Sequence, residues 1–102
     1  NSGIKIVDIR TKNEWRQSGI LTESIPITLF PERGRPNINH FIVQLNKHIK
    51  KGEKFAFICL TGSRSGMATD YFKAQGFNVV DMIGGTEYLT TKLGIKLKAY
   101  LK

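Results

Sequence analysis

Apolar residues along this chain follow two alternating patterns, short continuous runs and helically spaced faces. Positions 4–8 carry Ile4, Ile6 and Val7 and read as a short strand ending at Asp8. Thr11-Lys12-Asn13-Glu14 matches a capping box. In it the Thr11 hydroxyl accepts from the Glu14 N–H and the Glu14 carboxylate accepts from the Thr11 N–H. The helix that follows should end near Gly19. Positions 25–29 form a second strand candidate, and Phe30-Pro31-Glu32-Arg33-Gly34-Arg35-Pro36 is a loop. Ile38, Phe41, Ile42, Leu45 and Ile49 share one helical face, with Lys47, Lys50 and Lys51 on the solvated side and Gly52 as the stop. Phe55-Ala56-Phe57-Ile58 is apolar throughout, as in a strand buried on both faces. A helix over about 65–75 should turn Ala68, Tyr71 and Phe72 inward and end at Gly76. Positions 77–80 return as a strand, Gly84-Gly85 turns the chain, and 86–93 form a last short helix. The pattern over 95–102 fits an edge strand, a frayed helix or a tail equally well.

Strands that alternate with helices predict an α/β fold, a mostly parallel sheet with helices on both faces. With 102 residues the chain suffices for one domain over 1–102, its core lying at about 4–94. No apolar run approaches the ~20 residues that cross a bilayer, so no membrane role is expected. Sixteen Lys+Arg against eight Asp+Glu give a net charge of +8. The basic residues are scattered and do not alternate with aromatics, which argues against a nucleic-acid partner and leaves a scattered basic surface that serves solubility or, as a second reading, a field that concentrates small anions. A single Cys allows neither an intrachain disulfide nor a Cys-rich metal site. His40 and His48 have no acidic neighbour and read as surface residues. No metal and no cofactor is expected. The chain begins without Met and reads as a fragment or processed product. A cytoplasmic location is expected, with the periplasm left open.

In open parallel sheets ligands bind beyond the carboxyl ends of the strands. Here those ends are Asp8-Ile9-Arg10, the 30–35 loop, the stretch from Cys59 to Ser65, and Met82 to Gly85. That edge holds one Cys, several Arg and Gly and few carboxylates, so its potential should be positive. At Cys59 a buried strand ends, six residues follow and a helix begins. Gly62 permits the curvature, and Thr61, Ser63 and Ser65 are available as caps. Successive N–H groups then form an anion nest that, with the helix dipole and Arg64, stabilises a thiolate at its mouth. The alternative is a buried core Cys at a strand end, which requires neither Gly62 nor Arg64.

Cys59-Leu60-Thr61-Gly62-Ser63-Arg64-Ser65 resembles the Cys-x-x-Gly-x-Arg-Ser loop of the rhodanese sulfurtransferases. Val7-Asp8-Ile9-Arg10-Thr11 with Glu14-Trp15, Ser24-Ile25-Pro26-Ile27, Gly76-Phe77 and Ile83-Gly84-Gly85 resemble further segments of that family in the same order. The resemblance implies a three-layer rhodanese-like domain. It implies that Cys59 takes a sulfane sulfur from thiosulfate or a similar small anion, becomes a persulfide and passes the sulfur to a thiophilic acceptor such as cyanide or a protein thiol. Leu60, Thr61, Gly62, Ser63, Arg64 and Ser65 would cradle the persulfide and donor, Arg10 would help hold the donor, and Asp8 would be structural beside the site. The chain departs from the family at Gly19, where a His is usual, at Glu23-Ser24 in place of a Gly-Ala pair, and at Tyr88 in place of Trp. The N-terminal strand and helix usual in the family are expected to be lacking or to have been removed. A phosphatase would place five residues between Cys and Arg, whereas four stand here, and no nearby acid is evident to protonate a leaving alkoxide. The other alternative is a non-catalytic binding or sulfur-carrier module, with Lys92, Lys96, Lys98 and Lys102 available to a partner.

Overall fold

A computed structural model of the protein describes residues 3–101; Lys102, the last of the basic C-terminal residues, lies outside the described residues. Four parallel strands, β1 (Lys5–Asp8), β2 (Ile25–Pro26), β3 (Phe55–Ile58) and β4 (Val79–Asp81), form one sheet in the order β2-β1-β3-β4. The helices α1 (Lys12–Ser18), α2 (Ile38–Asn46), α3 (Ser63–Ala74) and α4 (Gly85–Thr91) alternate with them. This is the α/β architecture with a parallel sheet that the alternating pattern predicts. β1 and β3 pair centrally, Val7 opposite Phe57, so every residue of β3 is buried. Alternate residues Val7, Ile9, Phe55, Phe57 and Cys59 join Phe41 and Leu45 of α2 and Ala68 and Phe72 of α3 in the main core. Period-two geometry sends Asp8 and Ile58 to the other face. Edge-to-face ring pairs tie this core together, among them Phe57 with Phe72 at 5.4 Å and Phe41 with Phe72 at 5.5 Å. No helix among the described residues is long and apolar enough to cross a membrane.

Several boundaries differ from the sequence reading for identifiable reasons. β2 is only two residues long because Pro26 has no N–H to add to a ladder. The chain nevertheless stays extended, with Ile27 N–H donating to the Asp8 carbonyl (3.0 Å) and Leu29 N–H to that of Ile9 (3.2 Å). α3 begins at Ser63 rather than near 65, and Tyr71 is exposed while Thr69 is buried in its place. β4 begins at Val79 because the Phe77 N–H is still engaged by the Phe72 carbonyl at the end of α3.

The tail is neither an edge strand of the sheet nor a helix. Ile20 and Lys98 exchange two backbone hydrogen bonds of 2.8 Å in an antiparallel bridge, and Tyr100 lies against Trp15 at 5.3 Å. This strap explains Gly19, the departure where a His is usual. Gly19 has φ of +82°, and a Cβ there would come within 2.5 Å of the Lys98 carbonyl oxygen. Any side chain would push the tail off the end of α1.

Candidate active site

The carboxyl edge of the sheet does bring Asp8, Arg10, the Cys59 loop and the Gly84-Gly85 turn together. Cys59 directly follows β3 and is fully buried. Only Cys59 to Gly62 separate β3 from α3, so the connection is four residues rather than six. The expected hydroxyl caps are not used at the start of α3. Its N-cap is Gly62, in the left-handed conformation and without a side-chain capping bond. The acceptor is instead the cysteine sulfur. Cys59 Sγ receives the N–H of Gly62 (3.1 Å) and of Ser65 (3.3 Å), the third residue of the helix. The first N–H groups of a helix have no internal partner. Here the sulfur supplies one, and a charged sulfur supplies it better than a neutral one because donors to an ionised acceptor bind more strongly. Ser65 Oγ completes the arrangement, 3.4 Å from Sγ and donating to the Gly62 carbonyl at 3.3 Å. Thr61 and Ser63 are exposed, their hydroxyls 3.4 Å apart, and neither bonds the sulfur.

The loop faces its N–H groups inward because its carbonyls are held elsewhere. The first turn of α4 takes them: Thr86 N–H donates to the Cys59 carbonyl and Glu87 N–H to that of Leu60, both at 2.9 Å. Close approach makes this possible. Gly85, with φ of +64°, packs against the Leu60 and Cys59 carbonyls, and a Cβ would lie 2.5 Å from the Cys59 oxygen. Gly85→Ala should therefore cost about 2–4 kcal/mol, from the left-handed conformation and overpacking together. Denaturant midpoints of the two proteins measure it, and an unchanged midpoint would refute this packing.

The electrostatics of the edge differ from expectation. Arg64 does project near the site, but Glu14 of α1 holds it in a fork. Nη1 and Nη2 each lie 2.7 Å from a Glu14 carboxylate oxygen. Glu14 is also the N3 residue of the predicted capping box, which is present in full. The pattern at Thr11 and Glu14 located the cap but held no signal for a partner fifty positions away. Hydrogen bonds from Arg64 hold the Glu14 carboxyl down at about 2, against a usual 4.5, with the Thr11 N–H assisting and burial opposing. The same bonds raise Arg64, and the fields of Cys59 and Asp8 reach it as well. A carboxyl held low stabilises the fold above pH ~4.5 and loses that contribution as pH falls towards about 2. Unfolding free energy measured across pH 2–5 should fall in that window, and Glu14→Gln should flatten the decline.

Arg10, expected to help hold the donor, has its guanidinium engaged within the protein. It is fully buried beside an equally buried Asp8. Its Nε and Nη2 bond the Asp8 carboxylate at 2.9–3.1 Å, Nη2 also donates to the Gly19 carbonyl (2.6 Å), and Nη1 to Ser18 Oγ (2.8 Å). The pair fastens the end of β1 to the end of α1. Both arginines therefore carry a carboxylate, which reduces the positive potential expected at the centre of this edge. A cleft of about 540 Å³ lies at the opposite edge around Ile49, Lys50, Phe55 and Asn78, away from the sulfur.

A family model described as the rhodanese-like domain matches residues 1–92. Thiosulfate sulfurtransferase 18 of Arabidopsis thaliana is 29% identical over 87 residues, which make up 82% of this chain and 64% of that protein. The chain thus spans slightly less than two thirds of that relative's length. A crystal structure of a rhodanese-like domain protein from Staphylococcus aureus has a TM-score of 0.68 at 22% identity, covering 97% of this chain and 85% of that one. The structure of reduced Bacillus anthracis CoADR-RHD gives a TM-score of 0.71 at 22% identity and covers 96% of this chain but 15% of that one. A thiol set at the end of a central strand, in a loop of matching sequence and within a model match over most of its length, places this chain in the rhodanese-like domain family.

Proposed function

We propose that the protein is a sulfurtransferase that carries sulfane sulfur as a persulfide on Cys59. The observation that carries this reading is the pair of backbone N–H groups, from Gly62 and Ser65, aimed at Cys59 Sγ. They donate to the sulfur that attacks the outer sulfur of a donor such as thiosulfate. The sulfur–sulfur bond of the donor breaks, sulfite leaves with the electron pair, and Cys59 holds the transferred sulfur. A thiophilic acceptor, cyanide or a protein thiol, then takes that sulfur and restores the thiolate. The loop N–H groups can follow the negative charge from Sγ to the terminal sulfur, as donors do in an oxyanion hole. Arg64 contributes positive charge beside this path, and Ser65 Oγ can turn from the Gly62 carbonyl to the sulfur.

Full burial of Cys59 requires the exposed loop residues to shift before a donor reaches Sγ. That same burial favours the second reading, a binding or sulfur-carrier module. Mass spectrometry after incubation with thiosulfate separates them. Catalysis predicts one added sulfur on Cys59, removed again by cyanide. A chain that stays unmodified under several donors would leave the binding module.

Phosphate-ester hydrolysis is disfavoured by the short loop and by Glu14. The carboxylate at the site is fully ionised at neutral pH and bonded to Arg64, so it has no proton to give a leaving alkoxide.

A further inference from the structure

Two arginines at the catalytic edge would make a site for a dianion if their forks were open. Neither is. Arg10 is closed by Asp8, Ser18 and Gly19, and both terminal nitrogens of Arg64 are closed by Glu14. Each guanidinium is paired with a carboxylate, so an anion arriving at the Cys59 loop meets its N–H groups and a partly neutralised Arg64. The two loops at the mouth also carry apolar side chains beside the exposed Thr61 and Ser63. Leu60 in the Cys59 loop and Ile83 and Tyr88 around the Gly84-Gly85 turn are all exposed. The hydrogen bond from Glu87 N–H to the Leu60 carbonyl, and the contact of Gly62 with Gly84, join these two loops.

We propose that Glu14 is a specificity-determining residue, which by occupying the Arg64 fork sets the site for a singly charged organic sulfane-sulfur donor in preference to the dianion thiosulfate. This rests on the sulfur-transfer reading and narrows its substrate class. Glu14 does not touch the sulfur; it positions Arg64 and offsets part of its charge. With an organic thiosulfonate, R–SO2–S⁻, the Cys59 thiolate forms a bond to the outer sulfur. The sulfur–sulfur bond of the donor breaks and R–SO2⁻ leaves with the electron pair. Two negative charges enter the step and two leave it. The apolar R group replaces one charged oxygen of thiosulfate and can lie against Leu60, Ile83 and Tyr88.

The test compares methanethiosulfonate with thiosulfate as donors, with cyanide as acceptor, each rate divided by that donor's rate with a free thiol. Wild-type protein should show the higher normalised kcat/KM with methanethiosulfonate. Glu14→Gln keeps the capping box, because Gln serves at that position, and removes the charge. Attraction to Arg64 scales with the donor's charge, so the gain for the dianion should be the square of the gain for the monoanion. The ratio of the two kcat/KM values should move about tenfold or more towards thiosulfate, mainly through KM. It should move less at high salt, where the freed charge is screened. Damage to the fold would lower both donors alike, so the ratio is read on Glu14→Gln protein whose unfolding midpoint shows it folded.

A wild-type preference for thiosulfate overturns the proposal. So does a ratio that stays fixed in Glu14→Gln, or one that moves away from thiosulfate, since Glu14 would then be aligning Arg64 for the dianion. If neither donor places sulfur on Cys59, the sulfur-transfer reading itself fails, a result distinct from transfer without discrimination.

Discussion

Cys59→Ser lowers sulfur transfer from donor to cyanide by more than about 10³-fold and leaves the fold standing. The two consequences have separate causes. The serine oxygen fills nearly the same place, and it can accept the N–H groups of Gly62 and Ser65 that the sulfur accepts now. The first turn of α3 thus remains capped, and the stability cost should stay near ~1 kcal/mol, the scale of one exchanged hydrogen bond. Chemistry is different. A hydroxyl does not ionise at neutral pH under two N–H donors, and oxygen forms no persulfide. The loop that stabilises the intermediate then has nothing to stabilise. Initial rates of thiocyanate formation and a denaturant titration of the same sample measure both effects. A variant with wild-type rates would show that Cys59 is not the carrier. A variant that unfolds would show that the thiol has a packing role that oxygen cannot fill.

The readable and unreadable parts of this site divide by the range of the interactions. The apolar run 55–58, Gly62 and the capping box at Thr11 are local patterns, and each appears where the sequence places it. The sulfur as cap was hidden because the sequence offers three hydroxyls, Thr61, Ser63 and Ser65, any of which fits a capping rule. Which atom fills the position depends on how β3 enters the turn, a property of the packed sheet. The Glu14–Arg64 fork joins residues fifty positions apart, across α1 and α3. Nothing in the spacing of either residue announces the other. The bonding of Arg10 is hidden for a related reason. A strand-end arginine beside a presumed anion site reads as a ligand unless one knows that Asp8, two positions earlier, turns onto the same face. The tail had no decisive pattern because its contact with Ile20 is a single bridge, too short to impose alternation.

Asp8→Ala should destabilise the protein by about 3–5 kcal/mol, a large part of the ~5–15 kcal/mol that holds a small domain. Asp8 accepts four bonds from Arg10, counting the backbone N–H, and both side chains are fully buried. Removing the carboxylate leaves a guanidinium in the interior with only Ser18 and the Gly19 carbonyl as partners. That uncompensated charge, rather than the lost attraction, is the main cost. The loss should spread to the end of α1 and the tail strap, because Arg10 anchors Gly19, whose neighbour Ile20 holds Lys98. Asp8→Ala with Arg10→Met removes both charges and should cost clearly less than the sum of the two single changes. Denaturant unfolding of the four proteins closes this cycle. Activity adds an independent check on Arg10. If Arg10 held the donor, Arg10→Met would raise KM in protein that remains folded. A purely structural pair predicts an unchanged KM in the folded fraction of the double variant. A rise of tenfold or more would return Arg10 to the substrate site and require its side chain to leave Asp8 during turnover.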